Sequence, residues 1–319
     1  MKAPLSRAPL SRALPYAAVA FAACAWGTWS LVLRRAEAMA PMGSALESTI
    51  VLAVQTGFSA VTSLRDRVSA PGPWGARRRW NARLWVVWLG VADALNVLLF
   101  FAAYKITIGV AVLAHYLAPV FVAVASPFLL RERITRRTAL AVAGSFAGLA
   151  VMLGPSPTGA DAAWRSAALG AGSAFFYASN VVGNKFIVDD FSTSEAMFWH
   201  GLVATPLLAA CVPRAEWAAL DPRAAVFLAL MSIGPSAMAG LAFVWGLRRM
   251  PAAHASTLTL LEPLVAVLAG ALVFGEALGP RSVAGAALIL SGALAVMTTS
   301  RSDTNPGERS ASANEDRAR

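Results

Sequence analysis

The chain has 319 residues, of which 57% are hydrophobic and 14% charged, with a mean hydropathy of +0.60 and a formal net charge of +10. A soluble domain carries nearer a quarter charged residues, so this composition excludes an ordinary soluble protein and indicates a polytopic membrane protein. Because the basic residues lie in short loops between apolar runs and form no basic face with interleaved aromatics, nucleic acid is not an expected partner.

The N-terminal residues 1–15 are basic and proline-rich and lead into an apolar run over 16–33. A secretory signal with a cleavage site near Cys24 is one interpretation. The apolar run continues past that site through Trp26 and Trp29, however, which favours a retained first membrane span. We therefore expect 1–15 to be a cytoplasmic segment.

Nine further apolar segments follow, each long enough to cross a bilayer or nearly so. They cover 43–64, 84–104, 107–130, 138–153, 166–187, 194–212, 224–247, 252–274 and 282–299. No train of alternating segments supports a β-barrel. The sequence thus predicts an all-α integral membrane protein with ten transmembrane helices, followed by a polar tail, 301–319, that we expect to be disordered.

The basic residues of the loops predict the orientation of these helices in the membrane. With the N-terminus in the cytoplasm, most of them fall inside, and the loops expected outside carry only seven. Those seven are Arg34, Arg35, Lys105, Arg165, Arg214, Arg223 and Arg281. Both termini are therefore predicted to be cytoplasmic. The preference for Arg over Lys and the heavy use of Ala are typical of a GC-rich bacterial genome, so we expect the inner membrane of a bacterium.

Two segments of the chain, 109–132 and 252–276, resemble each other. In both, a proline deep in the apolar run precedes a glutamate by 13 residues, Pro119 before Glu132 and Pro263 before Glu276. The offset of 144 residues spans five predicted helices, and an odd number of crossings turns the second copy upside down. The sequence therefore predicts two inverted five-helix repeats, 16–154 and 166–300, joined by a loop over 155–165.

These copies, AHYLAPVFVAVASPFLLRE and LLEPLVAVLAGALVFGEALGPRSVAGAALILSGALAVM, resemble the EamA-type repeats of the drug/metabolite transporter superfamily. Glu262, Pro263, Glu276, Gly285 and Gly292 fall on the family's pattern, whereas Ala118 replaces the glutamate before the first proline. The resemblance implies a ten-helix transporter with two inverted bundles around a central substrate cavity. It does not imply which compound moves.

Polar residues within the predicted spans are the candidates for substrate binding or coupling, because a carboxylate at mid-bilayer costs roughly 2.5 to 3.5 kcal/mol on insertion scales. Asp93 lies near the centre of the third span, and Asn96 shares its face. Asp93 is either a substrate-amine or proton site facing the cavity, or a polar contact between helices. Glu262 lies where the adjacent proline removes a backbone hydrogen bond, with Thr257 and Thr259 nearby.

Histidines and aromatic residues add further candidates. His115, followed by Tyr116, is either a proton or substrate contact or a histidine bonded to a neighbouring helix. His200 carries less weight, and Glu47 is expected to snorkel to the interface. Three aromatic residues are cavity candidates, and two asparagines form a polar stripe on the sixth span. These are Trp26, Tyr177 and Trp245, with Asn180 and Asn184.

Small and boundary residues have structural roles in this interpretation. Gly144 and Gly148 form a GxxxG sequence that lets helices approach closely, and Gly285 and Gly292 are expected to do the same. Glu132 lies among arginines at the predicted cytoplasmic boundary, so we expect it to form an ion pair or to cap a helix. Glu276 is its counterpart at the opposite boundary.

The sequence therefore predicts a secondary transporter that exports a small organic solute by alternating access. The bilayer and the solute are the expected partners, protons are the candidate coupling ion, and a homodimer stays open. Neither a cofactor nor a metal is expected, because Cys24 and Cys211 show no ligand spacing. The alternatives are an integral-membrane enzyme acting on a lipid or prenyl substrate, which would need clustered carboxylates or a nucleophile with a base, and a receptor or scaffold, which the repeat disfavours.

Overall fold

A computed structural model describes residues 8–69, 80–154, 159–275 and 278–302. Throughout these ranges the secondary structure is helical, without a strand. In chain order the helices are α1 (Ala8–Gly27), α2 (Trp29–Met39), α3 (Ser44–Ser69), α4 (Trp80–Tyr104), α5 (Ile108–His115), α6 (Ala118–Leu129), α7 (Arg136–Leu153), α8 (Ala160–Phe186), α9 (Thr193–Ala210), α10 (Arg214–Ala218), α11 (Pro222–Ser232), α12 (Ala239–Leu247), α13 (Ala252–Leu258), α14 (Leu261–Phe274) and α15 (Pro280–Ser302). A short π-helical stretch, Ile233–Met238, joins α11 to α12.

Eight helical segments in the described ranges are long and apolar enough to cross a membrane, which makes the chain a multi-pass membrane protein. They are Ala13–Met39, Ser44–Arg65, Asn81–Tyr104, Ile108–Leu129, Arg136–Leu153, Pro222–Leu247, Ala252–Val273 and Pro280–Thr298. The predicted sixth and seventh spans form α8 and α9, but these two helices do not belong to the apolar set. The count of ten spans therefore stays a prediction.

The two similar segments of the chain are each interrupted at the same place. α5 gives way to α6 at Tyr116 and Leu117, and α13 gives way to α14 at Thr259 and Leu260, in both cases just before the deep proline. Proline has no N–H to donate and its ring crowds the carbonyl four residues earlier, so the regular helix is interrupted at that point. In a membrane such a break is tolerated where protein surrounds it.

Helices far apart in the chain pack against each other. α3 packs along α9 and α7 along α15, while α1 contacts α12 and α14, and α8 contacts α4 and α6. The largest core cluster contains residues from α1, α6, α7, α8, α9, α12, α13, α14 and α15. The interior is therefore built between the two halves of the chain.

Glycines allow α7 and α15 to come into direct contact. A Cβ at Gly148 would lie 2.7 Å from Leu288 Cβ and 2.8 Å from the Gly285 carbonyl oxygen, and one at Gly292 would collide with Ser145. Gly144 takes no part in this contact, contrary to the prediction, because a Cβ there would meet nothing within 4 Å. Residue 144 is offset by about 100° around the helix from Ser145, which faces α15.

Candidate functional site

Asp93 faces a histidine on another helix. Its Oδ2 lies 3.2 Å from Nε2 of His200, and the exposed fraction of the side chain is 25% for Asp93 and 7% for His200. α4 and α9 thus place an acid and a base in contact near the middle of both helices. His200, which the sequence analysis gave little weight, is the partner of the leading candidate. Only the packing of α9 on α4 reveals the pair, since 107 residues separate the two.

Asn96, one turn from Asp93, belongs to a second hydrogen-bonded chain. Ser173 donates its hydroxyl proton to Asn96 Oδ1 at 2.7 Å, and the Ser173 hydroxyl oxygen lies 2.8 Å from His115 Nδ1. Because the single hydroxyl proton is directed to Asn96, Nδ1 of His115 must be the donor of the second bond. The geometry therefore places a proton on Nδ1 of His115.

Glu262 lies beside two tyrosines. The Tyr116 hydroxyl is placed to donate to the Glu262 carboxylate, and Tyr177 interacts with Glu262, Thr259 and Asp93. His115 joins these groups, with ring centroids 5.2 Å from Tyr116 and 5.6 Å from Tyr177.

The helix break that precedes Pro263 brings Thr259 to this position. The Glu262 N–H bonds to the Thr259 carbonyl at 3.0 Å, which closes a tight turn instead of a regular helical turn. We call the assembled groups the central polar cluster. It consists of Asp93, Asn96, His115, Tyr116, Ser173, Tyr177, His200, Thr259 and Glu262.

The remaining candidates lie around or away from this cluster. Trp26 packs on Phe243 with ring centroids 5.1 Å apart, and a Cβ on the adjacent Gly27 would approach the Glu262 carbonyl to 2.6 Å, so α1 lies directly against this segment. The side chain of Asn180 donates to the Leu89 carbonyl at 3.2 Å and so serves packing of α8 on α4. Asn184 donates back to Asn180 within α8.

Trp245 and Glu132 lie at the end of the bundle that also bears Arg65, Lys185 and Arg248, which we call the arginine-rich end. The Cζ atom of Arg249 lies over the Trp245 ring, 4.2 Å from the ring centroid. Glu132 forms an ion pair with Lys185 at 3.1 Å rather than with the arginines next to it in sequence. Its other oxygen accepts the Ala252 N–H at 2.7 Å, at the start of α13. Glu276 lies outside the described residues.

His254, which the sequence analysis did not single out, is bonded through both ring nitrogens. Nδ1 lies 2.8 Å from the Tyr16 hydroxyl and Nε2 3.0 Å from Thr138 Oγ1. The residue is 6% exposed and connects α13 to α1 and α7. The local sequence AAHASTL offers no signal for this role, because both partners come from distant helices.

Glu47 does not snorkel as expected. It is 4% exposed, and its Oε1 has no hydrogen-bond partner among the described residues. Glu216 of the short helix α10 accepts the Gly43 N–H at 3.1 Å, next to the start of α3. Among the residues that the structure describes, no group of three or more His, Cys, Asp or Glu side chains is arranged to hold a metal ion.

Comparison with known proteins agrees with this architecture. Residues 14–154 and 164–298 match the EamA-like transporter family. Two uncharacterized transporters of Archaeoglobus fulgidus are similar: one is 31% identical over 210 residues, covering 65% of this chain and 73% of the relative, and the other is 29% identical over 224 residues, covering 68% and 79%.

A protein of known crystal structure superposes with a TM-score of 0.72 at 20% identity, covering 89% of this chain and 96% of the other. At that identity the likeness concerns the fold alone. The family match spans most of the sequence, and the related chains carry the name of transporters. The chain therefore belongs to the EamA-like transporter family of the drug/metabolite transporter superfamily and is a multi-pass membrane transporter.

Proposed function

We propose that this protein is a secondary active transporter that exports a small organic solute across the bacterial inner membrane by alternating access, with both termini in the cytoplasm. The observation that carries the proposal is the central polar cluster. Asp93 and His115 come from the first half of the chain, whereas His200 and Glu262 come from the second half. Ionisable groups within the spans of a membrane protein mark substrate or ion pathways. Inserting such a group costs free energy that an apolar residue at the same position would not cost.

The packing of the helices supports two inverted repeats. The repeat pairs α1 with α8, α4 with α12, and α6 with α14. Exchanging the halves converts the contacts of α1 with α12 and α14 into those of α8 with α4 and α6, and all four contacts are present. The contacts α3 with α9 and α7 with α15 each join a helix to its own counterpart. A chain with this exchange symmetry has two equivalent ways to rock one half against the other, which is the basis of alternating access.

The chemistry of the cluster favours protons as the coupling ion. The Asp93 carboxylate and the His200 imidazole together are neutral when they hold one acidic proton and negative when they hold none. Because low-dielectric surroundings disfavour net charge, a bound proton or a solute ammonium group should compete for the same carboxylate. Such competition couples outward movement of the solute to inward movement of a proton.

The test is transport in proteoliposomes with an imposed proton gradient, using wild type, Asp93→Asn and Asp161→Asn. Asp161 is exposed at the start of α8, so Asp161→Asn makes the same chemical change outside the cluster and is the matched control. We expect Asp93→Asn to lower gradient-driven solute flux by at least about tenfold, as for loss of a charge-assisted contact of 1.5 kcal/mol or more, and Asp161→Asn to behave as wild type. Flux indifferent to the gradient, with Asp93→Asn active, would refute proton coupling. Turnover of a lipid by the purified protein would instead favour an enzyme.

A further inference from the structure

A second polar site lies at the arginine-rich end, apart from the central polar cluster. It is an open cavity of about 930 Å³ between the ends of α3, α9 and α12. Its walls include three arginines, Arg65, Arg248 and Arg249, together with Trp245, and among the described residues no carboxylate lines it. A cavity of this size holds a small organic molecule. Its charge favours an anion.

Arg248 has hydrogen-bonding capacity that the protein does not use. Its Nη1 donates to the Phe191 carbonyl at 2.7 Å, while Nε and Nη2 are buried and have no hydrogen-bond partner among the described residues. These two nitrogens form one edge of the planar guanidinium, whose paired N–H groups match the two oxygens of a carboxylate. Burial, together with the adjacent Arg249, lowers the pKa of Arg248 to about 10, although the Glu195 carboxylate acts in the opposite direction, so the group stays charged at neutral pH.

The rest of the wall suits the same ligand. Ser192 to Ser194 line the cavity at the N-terminus of α9, an 18-residue helix whose positive dipole end favours negative charge. Glu195, the nearest acid in this turn, accepts the Ser192 N–H at 3.0 Å as part of a capping box. The Trp245 ring provides an apolar surface, and Arg249 is held over it by a bond of 2.8 Å to the Trp245 carbonyl.

The cavity and the central polar cluster share helix α9. His200 is six residues along α9 from Ser194, which corresponds to about 9 Å of helix. We propose that this cavity is the entry vestibule for a solute that bears a carboxylate, and that a turn of the Arg248 side chain presents its buried Nε and Nη2 to the two carboxylate oxygens. This inference rests on the proposed transport function and adds to the solute a carboxylate, beside the ammonium group that would compete with the proton at Asp93. Anionic lipid headgroups and free inorganic anions share part of this chemistry, so the test separates them.

The experiment measures binding to the purified full-length protein in a neutral detergent by titration calorimetry. Three probes share one aromatic body and differ in charge: phenylacetate, phenethyl alcohol and phenethylammonium. We expect phenylacetate to bind more tightly than the other two. Arg248→Gln and Arg248→Lys should both weaken its binding by at least about tenfold, since lysine keeps the charge but cannot form the paired bonds. Arg136→Gln, an exposed arginine at the same end, is the matched control and should bind as wild type.

Arg65 offers a second test, because it is exposed and its substitution should not prevent folding. If Arg248→Gln fails to fold, Arg65→Gln should still weaken phenylacetate binding several-fold. Equal binding of phenylacetate and phenethyl alcohol, or unchanged binding by folded Arg248 variants, overturns the proposal. So does binding of inorganic phosphate or of phosphatidylglycerol in nanodiscs that depends on Arg248 while phenylacetate does not bind.

Failure of the transport proposal is distinguishable from failure of this one. If phenylacetate binds through Arg248 but no solute crosses proteoliposomes, the vestibule stands as a binding site and the transport function falls. If Asp93→Asn abolishes flux of a solute that Arg248→Gln leaves unchanged, the transport function stands and the assignment of a carboxylate-bearing solute is overturned.

Discussion

Glu132 joins the two halves of the chain through an ion pair and a hydrogen bond, and Glu132→Gln tests its contribution. One carboxylate oxygen pairs with Lys185 Nζ at 3.1 Å, and the other accepts the Ala252 N–H at 2.7 Å. Lys185 also donates to the Met250 carbonyl. A tight turn after α6 positions Glu132. Arg131 adopts a left-handed conformation there, with φ of 56°, and the Glu132 N–H donates to the Ser126 carbonyl at 3.3 Å. Glutamine preserves the shape and one acceptor but removes the charge.

The burial of the pair sets the size of the expected loss. The side chains of Lys185 and Glu132 are 15% and 18% exposed, so the pair lies between two reference cases. An exposed pair contributes about 0–1 kcal/mol, whereas breaking a fully buried pair costs about 3–5 kcal/mol. We therefore expect Glu132→Gln to lower the free energy of unfolding by about 2 kcal/mol, including the lost negative charge at the start of α13.

The assay is reversible unfolding of the purified protein in mixed micelles, with Glu132→Gln, Lys185→Gln and the double variant forming a thermodynamic cycle. The coupling energy should be about 1–2 kcal/mol, because each single change removes the same contact. Arg133→Gln, an exposed neighbour, is the control and should change stability by less than about 0.5 kcal/mol. A coupling energy below about 0.5 kcal/mol, or equal effects of Glu132→Gln and Arg133→Gln, would refute the reasoning.

Two further changes test the packing between the halves. Gly148→Ala should destabilise the protein by about 1–3 kcal/mol relative to Gly144→Ala. Both changes gain the same helix propensity, but only the new Cβ at residue 148 would meet α15, 2.7 Å from Leu288 Cβ. Equal stability of the two variants in the same unfolding assay would contradict this. His254→Phe should lower the free energy of unfolding by about 1–3 kcal/mol. The buried Tyr16 would lose its hydrogen bond of 2.8 Å to His254, and the buried Thr138 would lose its hydrogen bond of 3.0 Å. Thr138→Val combined with His254→Phe should then cost less than the sum of the two single changes, and full additivity would argue against the bond.

Individual residues show which parts of the site were predictable. Asp93, His115 and Glu262 stood out because a polar group within a long apolar run is costly without a role, and that signal is local in the sequence. His200 carried less weight because its position in the seventh span was less certain, and Ser173, which also belongs to the central polar cluster, gave no comparable signal. A serine in an apolar helix is common, and its importance comes only from the Asn96 and His115 side chains on either side of it.

The vestibule was beyond sequence analysis for a similar reason. Arg248 and Arg249 were assigned to a loop from their position between two spans, and a basic loop residue ordinarily faces water. The structure instead places Arg248 beside Phe191, with two donors buried and without a partner among the described residues. Glu47 is the converse case, because a residue near the start of a span was expected to reach the interface and is only 4% exposed.

The sequence by itself determined the class of the protein: composition requires a membrane environment, the apolar runs predict its helices, and the repeated proline and glutamate indicate two related halves. These features depend on local hydrophobicity and backbone chemistry, which act within one helix. The tertiary structure decided which polar groups meet, including Asp93 with His200 and Glu132 with Lys185, and it decided that two donors of Arg248 are buried without a partner among the described residues. Such pairs depend on the direction that each side chain takes around its helix and on the helix that packs beside it. That information is shared between segments more than 50 residues apart and is present in neither one alone.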